Sequence, residues 1–208
     1  MVAARRIGLD FDNTLITYDD VFLAMARERG LTAADFAGRK QAIRDSIRLL
    51  PDGELSWQQL QGQVYGKGVA RASMFDGVDV FLRRCKQSNV PVVIVSHKTE
   101  FGHHDPERVN LRQAALQWMT AQGFFEDYGI ARENVYFEGT RQEKIARIAQ
   151  LDCSHFIDDL EEVLTDPDFP KNIERILFSE GGANSVSEPI MVCPTWRDVE
   201  QQVFRDAA

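Results

Sequence analysis

Short apolar runs alternate along the chain with longer stretches in which apolar residues recur every three or four positions. The clearest run, VPVVIV at residues 90–95, is almost continuously apolar and predicts a strand covered on both faces. Shorter runs predict further strands at residues 6–9, 134–137, 155–157, 176–178 and 190–192. Strands that alternate with helical stretches are typical of a parallel sheet with crossover helices. We therefore predict an α/β fold, a three-layer sandwich with a parallel, Rossmann-like sheet.

A long stretch between the first two predicted strands has a helical pattern. Its apolar spacing and its glycine and proline stops predict helices at residues 20–29, at 32–50 and from 56 to about 64. A fourth helix, at residues 76–87, leads into the strand at residue 90. We predict a core domain of residues 1–16 and 73–208, with a small all-helical cap at residues 17–72.

The predicted cap is rich in basic residues, which could recognise an anionic substrate or form a solvated face. They are Arg39, Lys40, Arg44, Arg48, Lys67 and Arg71. The cap as a whole could instead be a dimerisation surface, and the sequence leaves the oligomeric state open.

The charge balance limits the classes of partner. The 208 residues include 24 basic and 32 acidic side chains, for a formal net charge of −8. This balance argues against nucleic acid or an anionic membrane as the main partner, since both require clustered positive charge. It is compatible with a small phosphorylated metabolite bound in a locally positive pocket.

The sequence also predicts a cytoplasmic protein. No apolar run approaches the roughly 20 residues that span a bilayer. The first residues, MVAARRIGLDFDNTL, lack the apolar stretch and cleavage site of a signal peptide. Cys85, Cys153 and Cys193 are widely spaced and suggest neither a zinc site nor a disulfide framework.

Polar residues stand at or just beyond the ends of four predicted strands, or open the helix that follows. They are Asp10 and Asp12, Ser96, Lys144, and Asp158 with Asp159. Ligands of open parallel sheets gather at the carboxyl ends of the strands, so we expect these groups to share one site.

The segment DFDNTL at residues 10–15 resembles the opening motif, DxDx[TV], of phosphatases of the haloacid dehalogenase (HAD) superfamily. Ser96, Lys144 and the acidic pair in FIDDLEEVL resemble the three remaining motifs of that superfamily, in the same order. The resemblance implies a HAD-like fold with a helical cap after the first strand. It also implies a phosphoric monoester hydrolase that requires Mg²⁺ and acts on a small organic phosphate.

The resemblance implies a role for each of these residues. Asp10 would be the nucleophile that forms an aspartyl-phosphate, and Asp12 the general acid and base. Mg²⁺ would be held by Asp10, by the backbone carbonyl of Asp12 and by Asp158. Ser96 and Lys144 would bind the transferring phosphoryl group.

Three further residues are predicted to support the site. Thr14 would stabilise the turn after the first strand and orient Asp12, while Asp159 follows the metal ligand Asp158. His97 either contacts the substrate or belongs to a polar loop.

Other interpretations stay open. A phosphomutase would use the same residues, and a non-enzymatic phospho-aspartate signalling or binding module would share several of them. Taken singly, Ser96 or the acidic pair could simply cap a helix, and Lys144 could be a solvated helix residue. Asp12 favours a phosphatase or a mutase, because a binding module has no need of an acid there.

Overall fold

The computed structural model describes residues 5–102, 104–105, 107–180, 182 and 190–205. The strands in this part are β1 (Ile7–Leu9), β2 (Ile16–Thr17), β3 (Ser73–Met74), β4 (Val92–His97), β5 (Val135–Glu138), β6 (His155–Asp158), β7 (Glu174–Phe178) and β8 (Ile190–Cys193). The helices are α1 (Asp19–Glu28), α2 (Lys40–Arg48), α3 (Gly53–Tyr65), α4 (Val78–Gln87), α5 (Leu111–Ala121), α6 (Arg141–Gln150), α7 (Glu161–Leu164) and α8 (Trp196–Val203). Two 3₁₀ helices cover Lys67–Arg71 and Arg132–Asn134.

Six strands form one parallel sheet in the order β5-β4-β1-β6-β7-β8. The predicted parallel α/β architecture is therefore confirmed. The first strand, β1, lies at the centre, with β4 on one side and β6 on the other. The chain reverses its direction of travel across the sheet at β1, and open α/β sheets place their ligand site at such a point. Strands β2 and β3 form a separate two-stranded sheet.

The chain divides into two compact units. The first comprises the chain up to Ile16, Met74–His97 and the chain from Gly123 onward, and it contains the six-stranded sheet. The second, called here the helical unit, comprises Thr17–Ser73 and Lys98–Gln122, and it contains α1, α2, α3 and α5.

The helical unit thus includes a segment that the sequence prediction assigned to the core domain. The cause lies in α5, whose apolar face is buried within this unit. Trp118 of α5 is 3% exposed, and its indole nitrogen donates a hydrogen bond to the carbonyl of Ala72 at 2.9 Å. A buried indole needs such a partner, and here the partner lies in the other segment of the same unit.

The predicted helix at residues 32–50 is shorter in the structure, where α2 begins at Lys40. Its start is set by a contact distant in sequence, because a carboxylate oxygen of Asp19 accepts the backbone N–H of Lys40 at 3.0 Å. Such a contact satisfies a backbone donor that a helix start leaves unpaired. None of the helices in the described ranges is long and apolar enough to cross a membrane.

Close packing at the centre of the sheet depends on a glycine. A Cβ atom at Gly8 in β1 would overlap the ring of Phe156 in β6 and approach the sulfur of Cys153 at 3.1 Å. Phe156 is fully buried and belongs to an apolar core cluster of the first unit, together with Val95 of β4. The same ring lies 5.8 Å from the ammonium group of Lys144, so the packing of β1 against β6 supports a charged residue of the candidate site.

Candidate active site

Three adjacent strands bring the predicted residues to one edge of the sheet. Leu9, the last residue of β1, pairs with Ile94 of β4 and with Ile157 of β6. Asp10 follows directly, and its backbone N–H donates to the carbonyl of Ile157 at 2.9 Å. Asp10 and Asp158 therefore leave neighbouring strands at the same level.

A tight turn after β1 carries the second aspartate. Asn13 has a φ of 58°, which asparagine tolerates better than most residues, and its N–H donates to the carbonyl of Ile16 at 2.9 Å. Asp12 forms a bridge with Ile16 and is partly buried. The turn keeps Asp12 close to Asp10, whose pKa responds to the charge of Asp12.

Lys144 joins two of the predicted carboxylates. Its ammonium group lies 2.6 Å from Oδ1 of Asp10 and 2.7 Å from Oδ2 of Asp158. All three side chains are almost completely buried, with Lys144 2% exposed and Asp158 0%. Lys144 was predicted near the start of its helix, and it is the fourth residue of α6.

A capping box fixes the start of α6. The hydroxyl of Thr140 accepts the N–H of Glu143 at 3.2 Å, and the Glu143 carboxylate accepts the N–H of Thr140 at 3.0 Å. This reciprocal pair satisfies backbone groups that the helix start leaves unpaired. It holds the first turn in place, and Lys144 follows in the next position.

Burial and neighbouring charges set the pKa values of the Asp10–Lys144 pair. Removal from water raises the pKa of Asp10 to about 7, and the charges of Asp158 and Asp12 add to the effect, while Lys144 opposes it. Burial acts to lower the pKa of Lys144, but the charges and hydrogen bonds of Asp10 and Asp158 outweigh it and raise the pKa above its usual value. The lysine is therefore charged at neutral pH.

Three carboxylates of the site could hold a cation. Asp10, Asp158 and Asp159 each offer an oxygen, and these oxygens lie within 4.8 Å of one another. Hard oxygen ligands of this kind suit Mg²⁺. Lys144 pairs with two of these carboxylates, and a divalent cation would further lower the repulsion among the three. The donor set therefore fits the predicted metal.

The side chain of Asp158 is held rigidly. Its Oδ1 accepts the backbone N–H of Leu160 at 3.0 Å, while Oδ2 receives Lys144. This bond lies just before α7, as expected if the acidic pair helped to cap that helix. The cap position itself, however, is occupied by Leu160.

The hydroxyl of Ser96 is buried without a hydrogen-bond partner among the described residues. Ser96 is 1% exposed, in β4 beside the central strand. A buried hydroxyl with no partner is costly, since it has lost its hydrogen bonds to water. This orphaned group is the feature expected of a donor reserved for a ligand oxygen. It does not cap a helix, because β4 continues to His97.

The supporting residues hold the loops around the site. The hydroxyl of Thr14 donates to Oδ1 of Asp159 at 3.5 Å, and its predicted role in orienting Asp12 stays a prediction. The carbonyl of Thr14 accepts the indole N–H of Trp196 at 3.1 Å. The ring of His97 lies 3.1 Å from the carbonyl of Gly139, in the loop before α6. His97 thus contacts the loop before the helix that carries Lys144.

No protein-family model matches the chain, and no curated protein matches it in sequence. Solved structures match it over nearly their full length. A HAD family hydrolase from Deinococcus radiodurans R1, with bound phosphate and sodium, gives a TM-score of 0.59 at 14% identity, over 99% of this chain and 97% of that chain. A subfamily IA HAD hydrolase from Geobacter sulfurreducens gives 0.60 at 10% identity, over 97% of each chain.

The chain has the haloacid dehalogenase fold. At the level of the fold, the resemblance found in the sequence is thereby confirmed. The protein tyrosine kinase A of Mycobacterium tuberculosis also matches, with a TM-score of 0.63 at 14% identity, over 97% of this chain and 99% of that chain. Since matching chains carry the names of different activities, the haloacid dehalogenase fold does not decide the reaction. The reaction has to be argued from the side chains at the strand ends.

The structure adds a candidate role for Asp159 as a metal ligand, which sequence reasoning did not consider. That reasoning treated this residue as a neighbour of the ligand, whereas the structure groups its carboxylate with those of Asp10 and Asp158. The available signal was the acidic pair itself, which stands after a buried strand and before a helix. Sequence reasoning also missed the capping box of α6, although the TxxE spacing of Thr140 and Glu143 is legible.

Proposed function

We propose that the protein is a phosphoric monoester hydrolase that requires Mg²⁺ and acts through an aspartyl-phosphate on Asp10. The observation that carries this proposal is the buried Lys144 ammonium between Asp10 and Asp158, with the unpartnered hydroxyl of Ser96 on the neighbouring strand. Buried ionisable groups of perturbed pKa that converge at strand ends are typical of catalytic sites.

The metal would be held by the carboxylates of Asp10 and Asp158 and by the backbone carbonyl of Asp12, and Asp159 is close enough to take part. When bound, Mg²⁺ would neutralise charge on the phosphoryl oxygens and lower the repulsion between carboxylates. Both effects help a negatively charged nucleophile approach a phosphate ester.

The first half-reaction transfers the phosphoryl group to Asp10. A carboxylate oxygen of Asp10 attacks phosphorus, and the bond between phosphorus and the ester oxygen breaks. Asp12 gives its proton to the departing oxygen, which leaves as an alcohol. Asp12 suits this role because the turn after β1 holds it close to the nucleophile.

The second half-reaction hydrolyses the acyl-phosphate. Asp12, now ionised, takes a proton from water as the water oxygen attacks phosphorus. The bond between phosphorus and the Asp10 oxygen breaks, inorganic phosphate leaves, and Asp10 returns to its starting form. Asp12 regains its proton in the same step, so both residues are ready for another turnover.

Ser96 and Lys144 would stabilise the group in transfer. The Ser96 hydroxyl would donate to a phosphoryl oxygen, which supplies the partner it otherwise lacks. Lys144 would offset negative charge and hold Asp10 in one orientation through its 2.6 Å contact. The substrate we propose is a small phosphorylated metabolite, and we propose the cytoplasm as the place of action.

The proposal is tested by phosphate release from an aryl phosphate. We expect release with Mg²⁺, and its loss when the metal is chelated. Asp10→Asn should lose at least about a thousandfold in kcat, since the nucleophile is replaced by a near-isosteric amide. Asp166→Asn is the control, because Asp166 is a carboxylate of the same unit that accepts the backbone N–H of Asp168 in its own loop. Full activity of Asp10→Asn would exclude the proposed nucleophile.

A further inference from the structure

The helical unit contains a cavity of its own, with a volume of about 630 Å³. It is lined by α2, α3 and the segment that opens with Lys98. The polar and aromatic lining residues are Lys40, Gln41, Arg44, Arg48, Glu54, Trp57, Gln58, Gln61, Tyr65 and Thr99. All of them belong to the helical unit.

Three basic side chains line the cavity from one face of α2. Lys40, Arg44 and Arg48 follow one another at intervals of four residues, which places them in a row on that face. Like charges at this spacing repel one another and destabilise an isolated helix. An anion in the cavity would reduce this repulsion.

Two arginines of the row pair with carboxylates, and one of these carboxylates belongs to the cavity lining. Glu54, the one acidic residue of the described lining, receives both Arg48, with Nε at 2.6 Å, and the amide of Gln58 at 3.1 Å. Arg44 binds the carboxylate of Asp45, which is exposed and lies outside the lining, at 2.9 Å. The described lining thus contains three basic residues and one acidic residue, in a chain whose net charge is −8.

The aromatic wall of the cavity adds to this positive field. The ring of Tyr65 has the ammonium of Lys40 at 5.5 Å from its centroid and that of Lys98 at 5.3 Å. Lys98 is only 4% exposed, and it directly precedes Thr99, which lines the cavity. Two ammonium groups at one aromatic ring reinforce the preference for an anion.

The remaining polar groups suit hydroxyls. Amide and hydroxyl groups can both donate and accept hydrogen bonds. The lining carries three amides and one hydroxyl, from Gln41, Gln58, Gln61 and Thr99. Groups that can do both recognise a hydroxyl, which also does both. A ligand that matched the whole lining would therefore combine negative charge with several hydroxyl groups.

We propose that this cavity binds a small organic anion that carries about two negative charges and several hydroxyl groups. The charges are supplied by carboxylate or phosphate groups, both of which accept hydrogen bonds from arginine. Arg44 and Lys40 contact the charged groups, and the glutamine amides contact the hydroxyls. The proposal does not depend on the phosphatase reaction, because it concerns binding within the helical unit alone.

Calorimetric titration of the full-length, metal-free protein tests the proposal with three open-chain six-carbon probes. Sorbitol is neutral, glucarate carries two carboxylates, and sorbitol 6-phosphate carries one phosphate. We expect at least one of the two anions to bind and sorbitol not to bind. Binding of glucarate alone assigns carboxylates to the site, and binding of sorbitol 6-phosphate alone assigns a phosphate. If neither anion binds more tightly than sorbitol, the proposal is wrong.

Variants locate the binding. Arg44→Gln should weaken binding of the anion at least about tenfold, equivalent to about 1.4 kcal/mol, and Arg44→Lys should restore part of it. Arg71→Gln is the matched control, since Arg71 is an arginine of the same unit that pairs with Glu28 outside the cavity. Thermal unfolding of each variant checks that the fold is retained. Equal affinities in Arg44→Gln and Arg71→Gln would place the anion elsewhere and overturn the proposal.

Discussion

Lys144 controls the charge balance of the candidate active site. Its ammonium group is shared between Asp10 and Asp158, and all three side chains are buried. Removal of one partner from a buried ionic cluster leaves uncompensated charge in a medium of low polarity. The stability of the first unit is therefore linked to a residue that the proposed reaction also uses.

Lys144→Met should lower the free energy of unfolding by about 3–5 kcal/mol, because two buried carboxylates lose their counter-charge. Urea denaturation of the metal-free protein measures this change. Lys171→Met, at an exposed lysine of the same unit, is the control and should change little. The double variant Lys144→Met/Asp10→Asn should recover part of the loss. Equal stability of Lys144→Met and the control would show that the ionic cluster contributes nothing.

Metal binding should depend on pH because the pKa of Asp10 is raised to about 7 from an ordinary value of 3.8. Below that pH the metal-free carboxyl holds a proton, which Mg²⁺ must displace, so the apparent affinity falls as the pH falls. Above it the carboxylate is already ionised and the affinity levels off. Calorimetry in buffers of different ionisation enthalpy should detect proton release near pH 6 and almost none near pH 8.5. An affinity that is the same at both values would contradict this prediction.

Among the elements, the pairing of β1 with β6 brings Asp10 and Asp158 to the same edge of the sheet. Gly8 leaves room for the ring of Phe156, and that ring lies below the Lys144 ammonium. A side chain at Gly8 would push Phe156 away from β1. The effect would reach the site through packing, with no change to a charged residue.

Gly8→Ala should therefore lower the free energy of unfolding by about 1–3 kcal/mol, the usual cost of an overpacked core. Thermal unfolding followed by circular dichroism measures the change. The matched variant Gly8→Ala/Phe156→Leu should regain part of the stability, since the smaller side chain vacates the space. An unchanged melting temperature in Gly8→Ala would mean that β1 and β6 are not packed as described.

The sequence predicted the elements whose structure is decided locally. The apolar run at residues 90–95 predicted a buried strand, and β4 ends only two residues beyond this run. The predicted start of α2 was wrong because the hydrogen bond from the Lys40 N–H to Asp19 forms only when the chain folds. The place of α5 in the helical unit depends on the bond from Trp118 to Ala72, between segments far apart in the chain.

The same distinction holds for the candidate site: its residues could be predicted from the sequence, but their contacts could not. Motif order predicted Asp10, Ser96, Lys144 and Asp158, and parallel strands explain why residues at strand ends meet. Two features of the site become visible only in the three-dimensional structure. The unpartnered hydroxyl of Ser96 and the sharing of one ammonium between two carboxylates are properties of packing, which no motif encodes.

At the scale of the whole molecule, each unit carries a site of opposite character. In the first unit, several carboxylates gather around one lysine and suit a divalent cation. In the helical unit, three basic side chains against one acidic residue suit an organic anion. The net charge of −8 reveals neither arrangement. Both candidate sites are therefore formed by local charge, and overall composition is a poor guide to them.

The most direct test of the proposed reaction is to identify the residue that becomes phosphorylated. The protein is quenched in acid during turnover of an aryl phosphate with Mg²⁺, and its peptides are mapped by mass spectrometry. We predict a phosphoryl group on Asp10, most abundant in Asp12→Ala, in which water attack lacks its base. A phosphoryl group on another residue, or undiminished turnover by a protein that never carries one, would contradict the proposed reaction.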